Sequence, residues 1–251
     1  HGIDVEYSEA KIEESYISGN DGRGISSTSS QIILTNSVIK NNNFANLYSS
    51  RSTIKINNSL FTDTLGVSNI LSKSGEINIT YSTLVQTGLQ DEPNLKFNSS
   101  IDVNIINSII WSNDSLRQPI DLDADSISIT YSNILGGWSG IGNVTGDPAF
   151  VSDTDFHLTE LSPGVDRASP ESSTVFDLEG NARPNSGESL PDIGCYESSF
   201  GNSETAAATR LLVPEEYPTI QNAIGAAESG DTVMIADGHY YENLIIENQS
   251  I

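Results

Sequence analysis

Ile54-Lys-Ile56-Asn-Asn-Ser59-Leu-Phe61, Ile77-Asn-Ile79-Thr-Tyr-Ser82-Thr-Leu84, Val103-Asn-Ile105-Ile-Asn-Ser108-Ile-Ile110 and Ile127-Ser-Ile129-Thr-Tyr-Ser132-Asn-Ile134 write one pattern four times. Extended towards residue 1, the aligned serines are Ser15, Ser37, Ser59, Ser82, Ser108 and Ser132, separated by 22, 22, 23, 26 and 24 residues. Ile12, Leu34, Ile56, Ile79, Ile105 and Ile129 stand three positions before each serine; Ile17, Ile39, Phe61, Leu84, Ile110 and Ile134 stand two after. Residues five and three before the serine share a strand face, because side chains alternate with period two. The position two after has the opposite parity, so the chain bends at the serine. The residue before it is often asparagine, and short polar side chains that bond their own backbone suit such a bend.

A third apolar patch follows each repeat, at Ile25, Leu47, Ile70, Leu95 with Phe97, and Ile120 with Leu122. A repeat of this length signals a solenoid rather than a globule. No segment carries helical i, i+3, i+4 spacing over ten residues, so helical repeats are excluded. The expectation is an all-β parallel β-helix of about six rungs of 22–26 residues over 1–146. Residues 147–197 lie between these rungs and a small, polar linker over 198–210.

Composition fits this reading. The chain has 251 residues with a net charge of −23, 36% hydrophobic and 18% charged, so most of its polarity is uncharged. That excess of acid argues against a nucleic-acid partner, which needs a surplus of Lys and Arg. No run reaches the roughly 18 apolar residues of a membrane span. The single cysteine, Cys195, excludes an internal disulfide and any multi-thiolate metal site. Opening at His1 and stopping within an apolar alternation, the chain reads as part of a longer protein.

The run Ile17-Ser-Gly-Asn20-Asp-Gly-Arg-Gly24-Ile25 and the rungs after it resemble right-handed parallel β-helix proteins of the pectin-lyase-like superfamily. Asp147-Pro-Ala-Phe-Val151, Asp155-Phe-His-Leu158, Ser162-Pro-Gly-Val-Asp166, Asp177-Leu-Glu-Gly-Asn181 and Asp192-Ile-Gly-Cys-Tyr-Glu197 look like the closing segment of secreted bacterial β-helix proteins. That family usually has Ala where this chain has Cys195. Beyond the linker, Thr219 suits a helix N-cap, with Ile220, Ala223, Ile224 and Ala227 on one face and Gly230 as the stop. Thr232–Ile235 and Asn243–Ile246 read as strands. Residues 211–251 resemble the capping helix and first strands of another β-helix, either a second, truncated domain in tandem or a fold-back cap.

The resemblance implies chemistry on an outward strand face: a carboxylate-held Ca²⁺ with a Lys or Arg base in lyases, clustered Asp in hydrolases. The best cluster is Ile120-Asp121-Leu122-Asp123, where Asp121 and Asp123 share a face about 6.5–7 Å apart and offer oxygen ligands for Ca²⁺. Lys96, stacked beneath Asp121, and Arg117 are the candidate bases. The alternative is an ion pair of Lys96 with Asp121 and a solvated Asp123. Trp111, outward beside inward Ile110, is a candidate sugar-stacking residue, with Tyr48, Trp138, Tyr240 and Tyr241 as further aromatics. Asn20-Asp21-Gly22 and Asn113-Asp114-Ser115 are acidic turns. His1, His157 and His239 have no metal-ligand spacing, and His157 and His239 read as packing or solvent residues. Cys195 reads as a buried, inert thiol. The functional expectation is a secreted or cell-surface β-helix scaffold without catalysis or a required cofactor, with a polysaccharide or cell-surface glycan and a neighbouring β-helix domain as partners. The alternative is a Ca²⁺-dependent polyuronate lyase.

Overall fold

In the computed structural model the repeat becomes three parallel sheets, and the repeat spacing becomes their register. Residues 1–63, 65, 67–88, 92–98, 101–113, 118–121, 126–169, 174–185, 190–200, 210–215, 217–226 and 232–245 are described. The first sheet stacks β1 (Ile3–Glu6), β4 (Arg23–Thr28), β7 (Ala45–Ser50), β10 (Ile70–Ser72) and β13 (Leu95–Phe97). The second stacks β2 (Glu9–Glu13), β5 (Gln31–Thr35), β8 (Ser52–Asn57), β11 (Gly75–Thr80), β14 (Ile101–Ile106) and β16 (Ser126–Thr130). The third stacks β3 (Tyr16–Ser18), β6 (Val38–Lys40), β9 (Leu60–Asp63), β12 (Thr83–Gln86), β15 (Ile109–Ser112) and β17 (Asn133–Ile134). The molecule is a parallel β-solenoid.

Three apolar columns fill it. Ile12, Leu34, Ile56, Ile79, Ile105 and Ile129 are successive partners in the second sheet. Ile17, Ile39, Phe61, Leu84, Ile110 and Ile134 are partners in the third. Ile25, Leu47, Ile70, Leu95 and Ile120 line up in the first. None is more than 8% exposed, and each fully buried side chain of this kind contributes about 1.5–3 kcal/mol.

The corners carry the polar residues. Before each aligned serine stands a residue with φ between 46° and 53°: Glu14, Asn36, Asn58, Tyr81, Asn107 or Tyr131. Each serine Oγ donates to the carbonyl two residues back at 2.8–2.9 Å. Ser37, Ser59, Ser82, Ser108 and Ser132 also accept, through Oγ, the backbone N–H of the preceding rung's serine at 3.1–3.2 Å. The hydroxyl thus satisfies two backbone groups that the bend removes from the ladders. At the corner between the first and second sheets Gly75 has φ +117°, and a Cβ there would lie 2.1 Å from the Ser52 carbonyl oxygen.

The third corner is an asparagine ladder that the repeat does not announce. Asn42, Asn46, Asn69 and Asn94 are all fully buried. Asn42 Nδ2 donates to Asn46 Oδ1 at 2.8 Å, Asn46 Nδ2 to Asn69 Oδ1 at 2.5 Å, and Asn69 Nδ2 to Asn94 Oδ1 at 3.0 Å. The same amides reach backbone carbonyls of Lys40, Thr62, Val85, Leu84 and Trp111.

Trp138 packs against one end of the core. There Asn143 takes the place of the next serine, its Oδ1 accepting from Ser132 N–H at 2.9 Å while its Nδ2 donates to the Ile129 carbonyl at 2.9 Å. The chain then runs as a strap along the outside of the third sheet. Gly194 N–H donates to the Asn107 carbonyl, Cys195 N–H to Thr83 Oγ1, and Asn58 Nδ2 to the Phe176 carbonyl, at 3.0–3.1 Å. Beneath it Leu60, Tyr81, Val85 and Ile109, which point out of the solenoid, are buried against Phe156, Leu158, Val165, Ala168, Ile193 and Cys195.

Asn202–Ile251 make a second compact unit. Its strands β18 (Arg210–Val213) and β19 (Thr232–Ile235) pair in parallel. Helix α1 (Ile220–Ala226) packs Ile220, Ala223 and Ile224 on Val213 and Val233. Thr219 Oγ1 accepts Asn222 N–H at 3.1 Å, the expected N-cap, and Glu242 accepts the Ile220 and Gln221 N–H groups, each at 3.0 Å. Two differences from the sequence reading appear. Strand β18 takes in Arg210, read as the end of the linker, and Leu211–Val213, ahead of the helix, because its partner comes from beyond the helix. Residues 243–245 form no strand. Gly230 and Ile246 lie outside the described residues.

Candidate functional site

The bridge between Leu95 and Ile120 sets Lys96 opposite Asp121 on the outward face of the first sheet, as the repeat predicts. The ammonium of Lys96, however, pairs with Glu92 Oε2 at 2.5 Å, four residues back along its own chain rather than across the rung. Asp123 and Arg117 lie outside the described residues. Asp121 is therefore the described half of the Ca²⁺ pair. Among the described residues no group of three His, Cys, Asp or Glu side chains is placed to hold a metal ion.

The aromatics separate clearly. Tyr48 is covered by the guanidinium of Arg23, 3.4 Å from the ring centroid. Trp138 belongs to the end of the core, and Tyr240 packs in the second unit. Trp111 points outward and, like Phe150 of the strap, packs against the buried residues between the strap and the third sheet. It lines a pocket of about 220 Å³ with Thr87, Asn113, Asp147, Asp153 and Phe156.

A larger cleft, about 630 Å³, opens between the strap and the outer face of β3 and β6. One wall is Glu14, Tyr16, Asn36 and Val38; the other is Phe176–Gly180 with Tyr196. Tyr16 is 62% exposed and Phe176 56%, so two aromatic faces meet solvent within one concavity. Lys40 Nζ lies 5.1 Å from the Tyr16 ring centroid. The strap wall is shaped by Asp177, whose carboxylate accepts N–H groups of Glu179, Asn181 and Glu197 at 2.7–2.9 Å.

Behind that wall stands His157. Its ring stacks on Tyr196 with centroids 4.0 Å apart and planes at 22°. Nδ1 lies 2.6 Å from Asp155 Oδ1, and Nε2 3.3 Å from Glu179 Oε2. Burial disfavours the charged ring, but the hydrogen bonds and charges of the two carboxylates outweigh it and raise the imidazole above its ordinary value. The same hydrogen bond holds the Asp155 carboxyl below its ordinary value.

The strap has a charged centre of its own. Arg183, with no side-chain exposure, has Nε 3.6 Å from Glu197 Oε2 and donates to the Gly194 carbonyl at 2.8 Å. Burial raises the Asp192 carboxyl and pushes Glu197 up to about 7, with the Asp192 charge adding to the second shift. Burial also pushes the Cys195 thiol up to about 12, as expected of an inert cysteine. A carboxyl raised on folding binds protons more tightly in the native state. The stability Glu197 contributes is thus complete below its unfolded value of 4.5 and lost as the pH rises through about 7. At 1.36 kcal/mol per unit the change is at most about 3 kcal/mol. Amide exchange at residues 192–198, corrected for its intrinsic pH dependence, should show stronger protection at pH 5 than at pH 8. Equal protection would mean that Glu197 titrates like a solvent-exposed acid.

No family model, curated protein or solved structure matches this chain. The cleft joins residues near 14–38 to residues near 176–196, so no local motif could have disclosed it. The available signal was the pair of outward aromatics, Tyr16 and Phe176, in a chain with few aromatic residues.

Proposed function

We propose that this chain is an extracellular β-solenoid scaffold, of the right-handed kind found in the pectin-lyase-like superfamily it resembles, that binds an uncharged polysaccharide. The cleft beside Tyr16 carries this reading. Flat aromatic faces take up the apolar faces of sugar rings, while a few placed polar groups fix orientation. Glu14, Glu179 and Asn36 supply acceptors and donors for sugar hydroxyls. The same carboxylates, on a chain of charge −23, repel polyuronates. The Trp111 pocket, with an indole, an amide and two carboxylates, suits a second and smaller contact with the same glycan.

The test is calorimetric titration of the full chain with cellohexaose, xylohexaose and chitohexaose, beside polygalacturonate and alginate with and without Ca²⁺. Binding to at least one neutral oligosaccharide is expected, indifferent to chelator and weakened about fivefold to tenfold by Tyr16→Ala, the scale of one aromatic contact. Ca²⁺-dependent preference for a polyuronate would overturn the reading. Ultraviolet absorbance from unsaturated uronate ends, lost on Asp123→Ala, would install the lyase in its place.

A further inference from the structure

We propose that His157 is a pH-operated clasp on the glycan cleft: as imidazolium it ties Glu179 of the cleft wall to Asp155, and as neutral imidazole it lets Glu179 go. The inference rests on the cleft being the glycan site and adds its regulation.

The geometry itself asks for two donors. Both ring nitrogens face carboxylate oxygens, at 2.6 Å and 3.3 Å, and an ionised carboxylate only accepts. Neutral imidazole carries one N–H, so only the imidazolium satisfies both. When one proton leaves, the two contacts are unequal competitors for the remaining one. Asp155 is closer, and its Oδ1 also accepts the backbone N–H of His157 at 3.2 Å, which fixes it beside the ring. Glu179 stands at the longer distance, on the turn tip Leu178–Gly180, where Gly180 has φ +87°. Glu179 is the one released.

The ring cannot follow it. Stacking on Tyr196 holds the imidazole plane, and Tyr196 itself lines the cleft. The charged and titratable groups around the ring are Asp155, Glu179, Tyr196 and, beyond the tyrosine, Asp177. Burial, then the charges of Cys195, Glu179, Asp155 and Asp177, push the Tyr196 phenol far up, so it stays neutral while the histidine titrates. Asp177 is engaged with three backbone N–H groups. Among the groups in contact with the ring, His157 is the one whose charge changes near neutrality; Glu197, pushed up to about 7, is joined to this wall only through its N–H on Asp177. Loss of its proton frees Glu179 to swing into the cleft and loosens the turn that forms one wall.

The experiment follows the His157 imidazole resonances of the full chain between pH 5 and pH 9, and at each pH measures affinity for cellohexaose, xylohexaose and chitohexaose. The imidazole should titrate with a midpoint above 6.5, and affinity should fall about fivefold across the same midpoint. His157→Gln should hold affinity at the weaker plateau; any slope left in that variant belongs to Glu197. A midpoint at or below 6.5, or the parent's pH profile retained in His157→Gln, would overturn the clasp. If none of the three binds at any pH, the cleft reading fails, and the clasp is decided by exchange at the Leu178–Gly180 amides. Corrected protection that drops above the imidazole midpoint in the parent but not in His157→Gln supports it; equal protection in both removes it.

Discussion

Asn69→Leu should cost the solenoid about 3–6 kcal/mol, although leucine nearly matches asparagine in size and the site is fully buried. The asparagine amide donates to the Val85 carbonyl and to Asn94 Oδ1, both at 3.0 Å, while its oxygen accepts from Asn46 Nδ2 at 2.5 Å. Leucine takes a partner from the Val85 carbonyl, from Asn94 Oδ1 and from one N–H of Asn46, which keeps the Thr62 carbonyl for its other N–H. Each loss costs about 1–3 kcal/mol, offset by the gain from burying the leucine's own apolar surface. Domains of this kind are stable by only about 5–15 kcal/mol, so the loss is a large fraction. In a solenoid each rung rests on its neighbours, and a break in the middle rung weakens both halves. Urea unfolding followed by circular dichroism should show a lower midpoint with Asn69→Leu. Asn78→Leu, on the outward face of β11, should change stability little. An unfolding free energy for Asn69→Leu within about 1 kcal/mol of the parent would mean that the ladder is ornament rather than support.

This ladder also marks where sequence reading stops. The columns headed by Ile12, Ile17 and Ile25 were legible because each rung contributes one aliphatic residue at nearly constant spacing, and alternation then forces the rest. The serine corner was legible for the same reason. Asparagine 42 bonds asparagine 46 within its own turn, whereas Asn46, Asn69 and Asn94 follow at 23 and 25 residues. The last two intervals match the rung repeat, but an asparagine within a polar stretch reads as solvent-facing loop, and only the neighbouring rung reveals that its amide is buried. The strap had a signal that parity alone concealed. Ser59-Leu60-Phe61, Ser82-Thr83-Leu84-Val85 and Ser108-Ile109-Ile110-Trp111 place apolar residues on both faces of a strand. The inward set fills the solenoid; the outward Leu60, Val85 and Ile109 wait for a cover. Of the candidate site, stacking predicted the Lys96–Asp121 neighbourhood but not the competing Glu92, which depends on the local turn. His157 read as a packing residue, which its stacking on Tyr196 fits; its two carboxylate partners could not be read, since Glu179 reaches it only through the strap's return.

Arg183→Leu should detach the strap while leaving the solenoid wound. The guanidinium is buried over the Tyr81 ring, 4.3 Å from its centroid, with Glu197 at 3.6 Å and the Asp192 and Gly194 carbonyls at 3.3 Å and 2.8 Å. Removing it strands the Glu197 charge beside Asp192 in a dry site, and breaking one side of a buried ion pair costs about 3–5 kcal/mol. The loss falls on the strap, because each of these partners of Arg183 except Tyr81 belongs to it. Leu60, Val85 and Ile109 then face water, so the variant should bind a hydrophobic dye and shift Trp111 fluorescence while its β-sheet circular dichroism persists. A pH signature separates this from a mere packing defect. Without its cation Glu197 takes up a proton at still higher pH, so Arg183→Leu should recover much of its strap protection at pH 5 and little at pH 8. Arg183→Leu combined with Glu197→Leu should recover at both, since replacing both halves of a buried pair by apolar groups is often nearly neutral. Loss of protection in Arg183→Leu that is identical at the two pH values, and not relieved by the second substitution, would show that the guanidinium holds the strap through its carbonyl contacts and the Tyr81 ring, and the charge-pairing account of the strap would have to be abandoned.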